Sequence, residues 1–314
     1  MSATQSRRSS AGLFSSARTF FLPIGSLSDP DGVRGYPIDL RVKAASPRRS
    51  YGSGERLTLG VEVAQYGLAC HERWRAGEGD EWLEAATVTG RHLVSLQEPD
   101  GSWLHQTPFR HTFPLRPPWK SAMAQGEAAS LFVRLYGAVG DEQFADRALL
   151  ALRPLYEDVV DGGVRARLDG SAWYEEYPTR PPSYVLNGAI FALWGLRDVA
   201  VGLGDAAAAD AFQEGSEVLA QSLHRFDTGW WSLYSLYPHP TRNFASSFYH
   251  SLHVNQLVAM HRLDPRPEFA AVAARWAGYA ARGASRRRAF RRKVLFRLLV
   301  PRNRLLAHRL PGRP

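Results

Sequence analysis

Residues 183–224 decide the fold, and they read SYVLNGAIFALWGLRDVAVGLGDAAAADAFQEGSEVLAQSLH. Apolar residues recur at helical spacing over 183–203 and again over 206–224, so the stretch predicts two helices joined by a short connection. The same spacing predicts further helix pairs at 57–76 with 80–97, at 121–139 with 141–152, and at 247–263 with 267–282.

Loops of a common character separate these pairs. Each combines Gly with Asp or aromatic residues, and they recur roughly every sixty residues, at 100–103, 161–163 and 227–231. We therefore predict an all-α fold, an α/α toroid or partial (α/α) barrel of helical hairpins. Its loops would gather at one end, where the Pro-rich segments 108–119 and 178–182 are long enough to line a cleft.

The two ends of the chain differ from its middle. Residues 1–56 are rich in Ser, Arg, Gly and Pro and predict an irregular N-terminal arm, with an extended piece at 36–40. Residues 57–283 form the predicted barrel, and residues 284–314 form a basic amphipathic tail. The formal net charge is +9, but residues 282–314 hold twelve Lys and Arg and no Asp or Glu, and subtracting twelve leaves −3 for the rest. This is not the spread-out basic face of a nucleic-acid-binding domain, so no nucleic-acid partner is expected.

The sequence also carries signals about compartment. No run of eighteen apolar residues is present, which predicts no membrane-spanning helix. The N-terminus is interrupted by Ser and Arg and lacks the apolar core of a cleaved signal, so we expect a cytoplasmic location. Cys70 is the only cysteine, and the fold therefore cannot depend on an intrachain disulfide.

Two segments place polar residues at the predicted start of an apolar helix. In residues 119–127, WKSAMAQGE, Trp119 precedes small residues that open a helix, and Gln125 lies near its start; an ordinary helix N-terminus explains most of this pattern. In residues 173–179, WYEEYPT, Glu175 and Glu176 are flanked by tyrosines. Helix capping by Ser183 with a solvated Glu pair is the alternative there. Asn187, in the next helical turn, is either a satisfied buried amide or a ligand contact.

A third segment combines tyrosines with histidines. It comprises residues 230–234, WWSLY, and residues 248–256, FYHSLHVNQ, in which Tyr249, His253 and Gln256 fall on one helical stripe. His250 and His253 could bind a metal if Glu175 or Glu176 supplied a third ligand. No recognised metal-ligand spacing is present, so we predict neither a metal nor another cofactor.

Together these motifs resemble the C-terminal catalytic domain of the D-glucuronyl C5-epimerase family. In order they are QYGL at 65–68, DGSW at 100–103, PWKSAMAQG at 118–126, WYEEYPT at 173–179, VLNG at 185–188, and YH at 249–250 with HVNQ at 253–256. The resemblance implies an α/α-barrel domain that converts D-glucuronate to L-iduronate within a glycan. A uronic-acid-containing glycan is then the expected substrate.

The same resemblance implies roles for individual residues. By position in the motifs, the catalytic residues are Glu176, Tyr177, Tyr234 and Tyr249, and we expect them to converge on one cleft. The residues expected to bind substrate are Trp103, Trp119, Lys120, Gln125, Asn187, His250, His253 and Asn255. The chain departs from the family where Arg is usual after the tyrosine matched by Tyr234 and before the tyrosine matched by Tyr249. Lys120 stands where the family has tyrosine.

The chemistry explains why such residues are needed. Epimerisation at C5 removes a proton that is only weakly acidic because the adjacent carboxylate is ionised. The site must therefore neutralise the carboxylate and hold an acid or base on each face of the sugar. A phenol with a pKa near 10 and a carboxyl whose pKa is raised by burial suit these tasks.

Two other functions compete with epimerisation. A polysaccharide lyase on the same scaffold would form the same carbanion and then expel the 4-O substituent, and a non-catalytic homologue would bind the glycan without reaction. A glycoside hydrolase fits less well, because its two carboxyls need about 5–10 Å of separation and the side chains of adjacent glutamates tend to diverge.

The tail predicts a contact with an anionic membrane surface, which would place the protein peripherally on the inner membrane face. Phe290, Val294, Leu295, Leu298 and Leu299 share an apolar stripe, while Arg288, Arg291 and Arg292 line another side. A basic amphipathic helix of this kind lies in the plane of the membrane interface. The alternatives are that the stripe packs on the barrel or that the tail captures the acidic glycan directly.

Overall fold

The computed structural model describes residues 33–45, 60–106 and 111–302. Within these residues the chain is mainly helical, with short 3-10 helices at Arg41–Ala45 and Val159–Asp161. The α-helices are α1 (Gly60–Arg75), α2 (Glu81–Leu96), α3 (Ala122–Val139), α4 (Glu142–Tyr156), α5 (Leu186–Leu203), α6 (Ala206–Phe226), α7 (Ser247–Leu263), α8 (Pro267–Ala281) and α9 (Gly283–Leu299). One antiparallel hairpin, β1 (Arg165–Leu168) and β2 (Ser171–Tyr174), lies between α4 and α5.

The helices pack as sequential hairpins around an inner ring. Consecutive helices pair as α1 with α2, α3 with α4, α5 with α6, and α7 with α8. The first helix of each pair contacts the first helix of the next pair, so α1, α3, α5 and α7 form the inner layer. The predicted α/α toroid is therefore confirmed, while the β1–β2 hairpin was not predicted.

The inner helices are apolar because they are enclosed on nearly every side. Every residue of α3 from Ala122 to Leu135 is buried, and so is every residue of α5 from Leu186 to Val199. By length and composition α5 could cross a membrane, but 78% of it is buried inside the protein. A Cβ added at Gly195 would lie 2.3 Å from Cα of Gly126, so these two glycines allow α3 and α5 to cross in close contact.

The turns of two helical hairpins have the same local structure. Gly140 ends α3 with a φ of 69°, and Gly204 ends α5 with a φ of 71°, a left-handed conformation that glycine adopts without steric cost. An aspartate follows each glycine and caps the outer helix: Asp141 accepts a hydrogen bond from the backbone N–H of Gln143, and Asp205 accepts one from Ala208.

Part of the predicted N-terminal arm belongs to the core. Tyr36, Ile38 and Leu40 are fully buried. The backbone N–H of Tyr36 donates to Glu72 at 2.8 Å, and Arg134 donates to the carbonyl of Gly35 at 2.8 Å. Residues 36–40 are neither helix nor strand, and residues 1–32 and 46–59 lie outside the described residues.

The predicted tail begins as a regular helix. Helix α9 contacts α7 and α8, and it buries Ser285, Ala289 and Phe296. The predicted apolar stripe lies away from these buried residues and is exposed, at 70% for Phe290 and 74% for Leu298. Packing of this stripe on the barrel, one of the alternatives considered above, is therefore wrong. Residues 303–314 lie outside the described residues.

Candidate active site

Glu175 and Glu176 follow β2 directly, and the fold gives them different surroundings. Glu175 is fully buried and accepts hydrogen bonds from the backbone N–H groups of Ser183 at 2.8 Å and Tyr184 at 2.9 Å, and from the Ser183 hydroxyl. These bonds fold the loop between β2 and α5 back on itself. Glu175 therefore stabilises this loop, and its carboxylate oxygens are occupied within the protein.

Glu176 points toward the start of α5. Its Oε2 accepts a hydrogen bond from Nδ2 of Asn187 at 3.1 Å. Gly188 lies beside it, and a Cβ at that position would be 2.6 Å from Oε2. The hydroxyls of Tyr177 and Tyr234 are also within hydrogen-bonding reach of this carboxyl. Asn187 is therefore a partner of Glu176 through Nδ2, while its Oδ1 is buried without a hydrogen-bond partner among the described residues, so a ligand contact of this amide stays a prediction.

The three predicted tyrosines meet at Glu176. Tyr234 is held at the start of α5, because its carbonyl accepts from the backbone N–H of Leu186 at 3.2 Å. Tyr249 lies in the first turn of α7, which Ser246 caps. The rings of Tyr234 and Tyr249 are in edge-to-face contact at 4.7 Å, and the hydroxyls of Tyr177 and Tyr234 interact. The expected convergence is observed, while the catalytic roles stay predictions.

Burial sets the protonation states of this cluster. It raises the pKa of Tyr177 and Tyr234 well above 10 and that of Tyr249 to about 12, and the nearby Glu176 carboxylate adds to each increase. Burial likewise raises the pKa of Glu176 to about 7, against hydrogen bonds that lower it. At neutral pH the phenols are therefore protonated, and Glu176 is the group in this cluster that can readily exchange a proton.

Aromatic side chains wall one side of the cluster. Phe113 stacks on Tyr177 at 4.7 Å, and Trp119 lies 5.4 Å from the same ring. On the other side of Phe113, His239 lies at 5.5 Å and in turn contacts Phe296 of α9 at 5.1 Å. The segment 111–119 therefore lines the site, as its Pro-rich composition predicted, while 107–110 lies outside the described residues.

Sequence reasoning missed several members of this wall. Phe113, Tyr237 and His239 lie in loops, where helical periodicity gives no information, and their only signal was the aromatic and Pro-rich composition of those loops. Lys293 was counted with the tail, but its Nζ lies 5.6 Å from the centre of the Tyr234 ring. Contacts between such distant parts of the chain depend on the packing of the helical hairpins against one another.

Three residues predicted to bind substrate instead brace the 100–103 loop. Nε1 of Trp103 donates to the carbonyl of Leu93 at 3.0 Å, and the ring is buried. Nε2 of Gln125 donates to the carbonyls of Gly101 and Ala151 at 2.9 and 2.7 Å. Nζ of Lys120 donates to Asp100 and to the Gly162 carbonyl, both at 2.7 Å. The polar groups of Trp103 and Gln125 are therefore occupied within the protein, whereas Lys120 keeps a third N–H group, and the substrate contacts of all three stay predictions.

The two histidines of α7 form a second internal brace. His250 is fully buried, stacks on Trp231 at 3.7 Å, and places Nε2 2.9 Å from the carbonyl of Trp276. The Ser232 hydroxyl lies 2.8 Å from Nδ1 of His250 and 3.1 Å from Nδ1 of His253. His250 and His253 therefore support the loop that carries Tyr234, while Nε2 of His253 is buried without a hydrogen-bond partner among the described residues, and the substrate contacts of both stay predictions.

The structure also gives the surroundings of His250, His253 and Glu175, the residues considered as metal ligands. Burial lowers the pKa of His250 to about 4, so its ring is neutral. Its nitrogens and the oxygens of Glu175 nevertheless face internal partners. In the described part of the chain, no three His, Cys, Asp or Glu residues form a group that could hold a metal ion. Asn255 is half-buried further along α7.

Comparison with known proteins identifies relatives that match a large part of this chain. The family described as D-glucuronyl C5-epimerase C-terminus matches residues 97–278. A D-glucuronyl C5-epimerase of Caenorhabditis elegans is 34% identical over 207 residues, which are 60% of this chain and 33% of that protein. An uncharacterized protein of Methanocaldococcus jannaschii is 30% identical over 147 residues, 46% of each chain. The chain thus spans about a third to a half of the length of these relatives.

A solved structure supports the architecture. A D-mannose isomerase superposes with a TM-score of 0.53 at 11% identity, over 86% of this chain and 85% of that one. At this identity the likeness concerns the fold alone. It agrees with the α/α toroid described above.

Proposed function

Because the chain belongs to the D-glucuronyl C5-epimerase family, we propose that it inverts C5 of D-glucuronate or a related uronate within a glycan. The observation that carries this proposal is the buried cluster of one carboxyl and three phenols, Glu176, Tyr177, Tyr234 and Tyr249. Such a cluster supplies both a proton acceptor and proton donors. The aromatic wall beside it offers flat apolar faces against which a sugar ring can pack.

The contacts suggest an order of proton transfers. Ionised Glu176 takes the proton of Tyr177 as the Tyr177 oxygen takes the C5 proton, and the electron pair moves into the sugar carboxylate as an enolate-like charge. Tyr249 then donates its proton to the opposite face of C5. Tyr234 contacts both Tyr249 and Glu176, so it can return the proton from Glu176 to Tyr249. Each group ends in its starting state, with C5 inverted.

Single substitutions test these roles. Glu176→Gln, Tyr177→Phe and Tyr249→Phe should each lower deuterium incorporation at C5 in heavy water by about 100-fold or more, because each removes a general acid or base. Tyr136→Phe is the matched control, since this phenol lies in the last turn of α3, 3.4 Å from Glu142 and away from the helix start that contacts Glu175. Circular dichroism checks that all variants fold. Exchange at the wild-type rate in Glu176→Gln would overturn the mechanism, and ultraviolet absorbance from an unsaturated uronate would favour a lyase.

We also propose that α9 binds an anionic membrane surface through its exposed stripe. Phe290, Leu298 and Leu299 are 70%, 74% and 56% exposed, and Val294 and Leu295 lie beside them. Exposed arginines, among them Arg287, Arg288 and Arg291, lie among these apolar side chains, and α9 carries no acidic residue. Apolar side chains that enter the headgroup region next to several cations suit an interfacial helix.

A further inference from the structure

Three cations of the C-terminal segment face the tyrosine cluster. Lys293 lies over the ring of Tyr234, Arg297 interacts electrostatically with Tyr234 and Tyr249, and Arg302 interacts with Tyr249. All three follow residue 278, where the family match ends. They therefore bring positive charge to the site from outside the shared region.

Arg297 has no internal anion to account for its position. Its Nη1 is buried and has no hydrogen-bond partner in the described part of the chain, and it forms no ion pair with a described residue. The guanidinium lies 5.7 Å from the centre of the Phe296 ring. A buried N–H group without an acceptor is costly, and such a group beside the tyrosine cluster indicates an acceptor that arrives from outside.

Lys293 is held in place while keeping one donor available. Its Nζ donates to Oδ1 of Asn243 at 2.9 Å and to the carbonyl of Phe244 at 2.8 Å, which leaves the third of its three N–H groups. Both acceptors are neutral, so its charge is not compensated by them. Burial, followed by Arg297 and Arg302, lowers the pKa of Lys293 to about 7, as expected for cations gathered without an anion.

We propose that Arg297 and Lys293 bind the carboxylate of the reacting uronate, a role that rests on the proposed function. Removal of the C5 proton places negative charge on this carboxylate, so cations beside the tyrosines would stabilise the carbanion as well as the bound sugar. The planar guanidinium can donate two parallel hydrogen bonds to a carboxylate. The pair would also select uronates over neutral hexoses, because a neutral sugar would leave both cations without a partner.

Binding measurements on the full chain test this assignment. The probes are a hexasaccharide that alternates D-glucuronate with N-acetylglucosamine and the same hexasaccharide with its carboxyls reduced to alcohols. Calorimetry with Arg297→Gln and Lys293→Gln should show affinity for the uronate probe weakened about 10- to 100-fold, the range for lost hydrogen bonds to a charged group. Affinity for the reduced probe should not change. Arg291→Gln, an exposed position on the same helix, makes the same charge change and should bind both probes like the wild type.

The outcomes separate this inference from the proposed function. Equal affinity of the wild type for the two probes, or equal losses for both probes in Arg297→Gln, would overturn the carboxylate site. Failure of the wild type to bind the uronate probe would also overturn it. If the wild type prefers the uronate probe through Arg297 but incorporates no deuterium at C5 in heavy water, the carboxylate site stands and the epimerase proposal fails.

Discussion

The position of the Glu176 side chain depends on its neighbour Gly188, which has no side chain. The backbone of Gly188 closes the space behind the carboxyl, and a Cβ there would lie 2.5 Å from Cβ of Glu176 and 2.6 Å from its Oε2. Contacts this short force one of the two residues to move. Because Asn187 and the tyrosines fix where the carboxyl must lie, a shift of Glu176 would disturb the whole cluster.

We therefore expect Gly188→Ala to lower C5 exchange by at least tenfold while the protein remains folded, since a displacement of about 1 Å is enough to cost that much activity. Gly137→Ala is the matched control, because a Cβ at Gly137 meets nothing within 4 Å and alanine favours the helix. Exchange rates in heavy water and circular dichroism of both variants decide the question. Unchanged exchange in Gly188→Ala would show that the position of Glu176 is not critical.

At the residue level, the sequence predicted which side chains matter better than what each one does. Motif order identified Glu176 and the three tyrosines, which the structure brings together. It also assigned Trp103, Gln125 and His250 to substrate, although their polar atoms have internal partners. A motif is retained equally well by a residue that supports a loop and by one that contacts a ligand. Only the hydrogen-bond partners distinguish the two roles.

Among the elements, α9 presents two faces with different surroundings. One face buries Ala289 and Phe296 and directs Lys293 toward the tyrosines. The opposite face exposes Phe290 and Leu298, which would lose contact with water in a membrane interface. Each large apolar side chain that becomes buried contributes roughly 1.5–3 kcal/mol, and each basic residue near an anionic surface about 1 kcal/mol.

The full chain should therefore pellet with phosphatidylglycerol vesicles but not with phosphatidylcholine vesicles, and high salt should weaken this binding. Phe290→Ser with Leu298→Ser should reduce the pelleted fraction strongly. Val160→Ser removes another exposed apolar side chain, 66% exposed and outside α9, and should have no effect. Sedimentation of the double variant at the wild-type level would exclude α9 as the contact.

Helical periodicity predicted the elements to within a few residues, and it failed where contacts outside the element decide. The predicted helix at 183–203 begins only at Leu186, because Ser183 and Tyr184 donate to Glu175 instead of entering the helix. The β1–β2 hairpin was missed since its two strands have four residues each, too few for a clear alternation. The inward face of α9 was missed because polar residues share it with Phe296.

For the whole molecule, the shifted pKa values of buried titratable groups predict how the free energy of unfolding varies with pH. Burial raises the pKa of Glu72, Glu175 and Glu176 to about 7 and that of Glu127 to about 8. Their folded pKa values exceed the unfolded value, so the stability they contribute is present below about pH 4.5 and is lost as the pH rises to about 8. The pKa of Lys293 is lowered to about 7, so above neutrality this group makes the free energy of unfolding rise with pH. It is one group against four carboxyls.

Buried histidines lower the free energy of unfolding at acid pH. Burial lowers the pKa of His71 to about 3 and that of His105, His239 and His250 to about 4. Their contribution is present above about pH 6.5 and is lost as the pH falls through these values. Burial also lowers the pKa of His111 and His253, so six histidines outweigh the four carboxyls between about pH 4.5 and 6.5. The free energy of unfolding in urea should therefore be greatest near about pH 6.5 and should decline toward pH 8.

Glu127→Gln provides the check on this interpretation. Glu127 already accepts a hydrogen bond from Gln65 at 2.9 Å, and a neutral amide removes its ionisation while keeping its shape. The variant should lose less stability between pH 6.5 and 8 than the wild type. An unfolding free energy that rises over this interval in the wild type would contradict the raised pKa values of the buried carboxyls.

The helical toroid also explains why the complete site could not be derived from local patterns. It brings loops from three hairpins and the C-terminal helix together around Glu176. The proposed function requires a reaction at C5 of a uronate, and deuterium incorporation measures this reaction. After incubation of the full chain with a D-glucuronate glycan in heavy water, we expect deuterium at C5 together with the C5 epimer. Recovery of the glycan without deuterium at C5, or with an unsaturated uronate in place of the epimer, would contradict it.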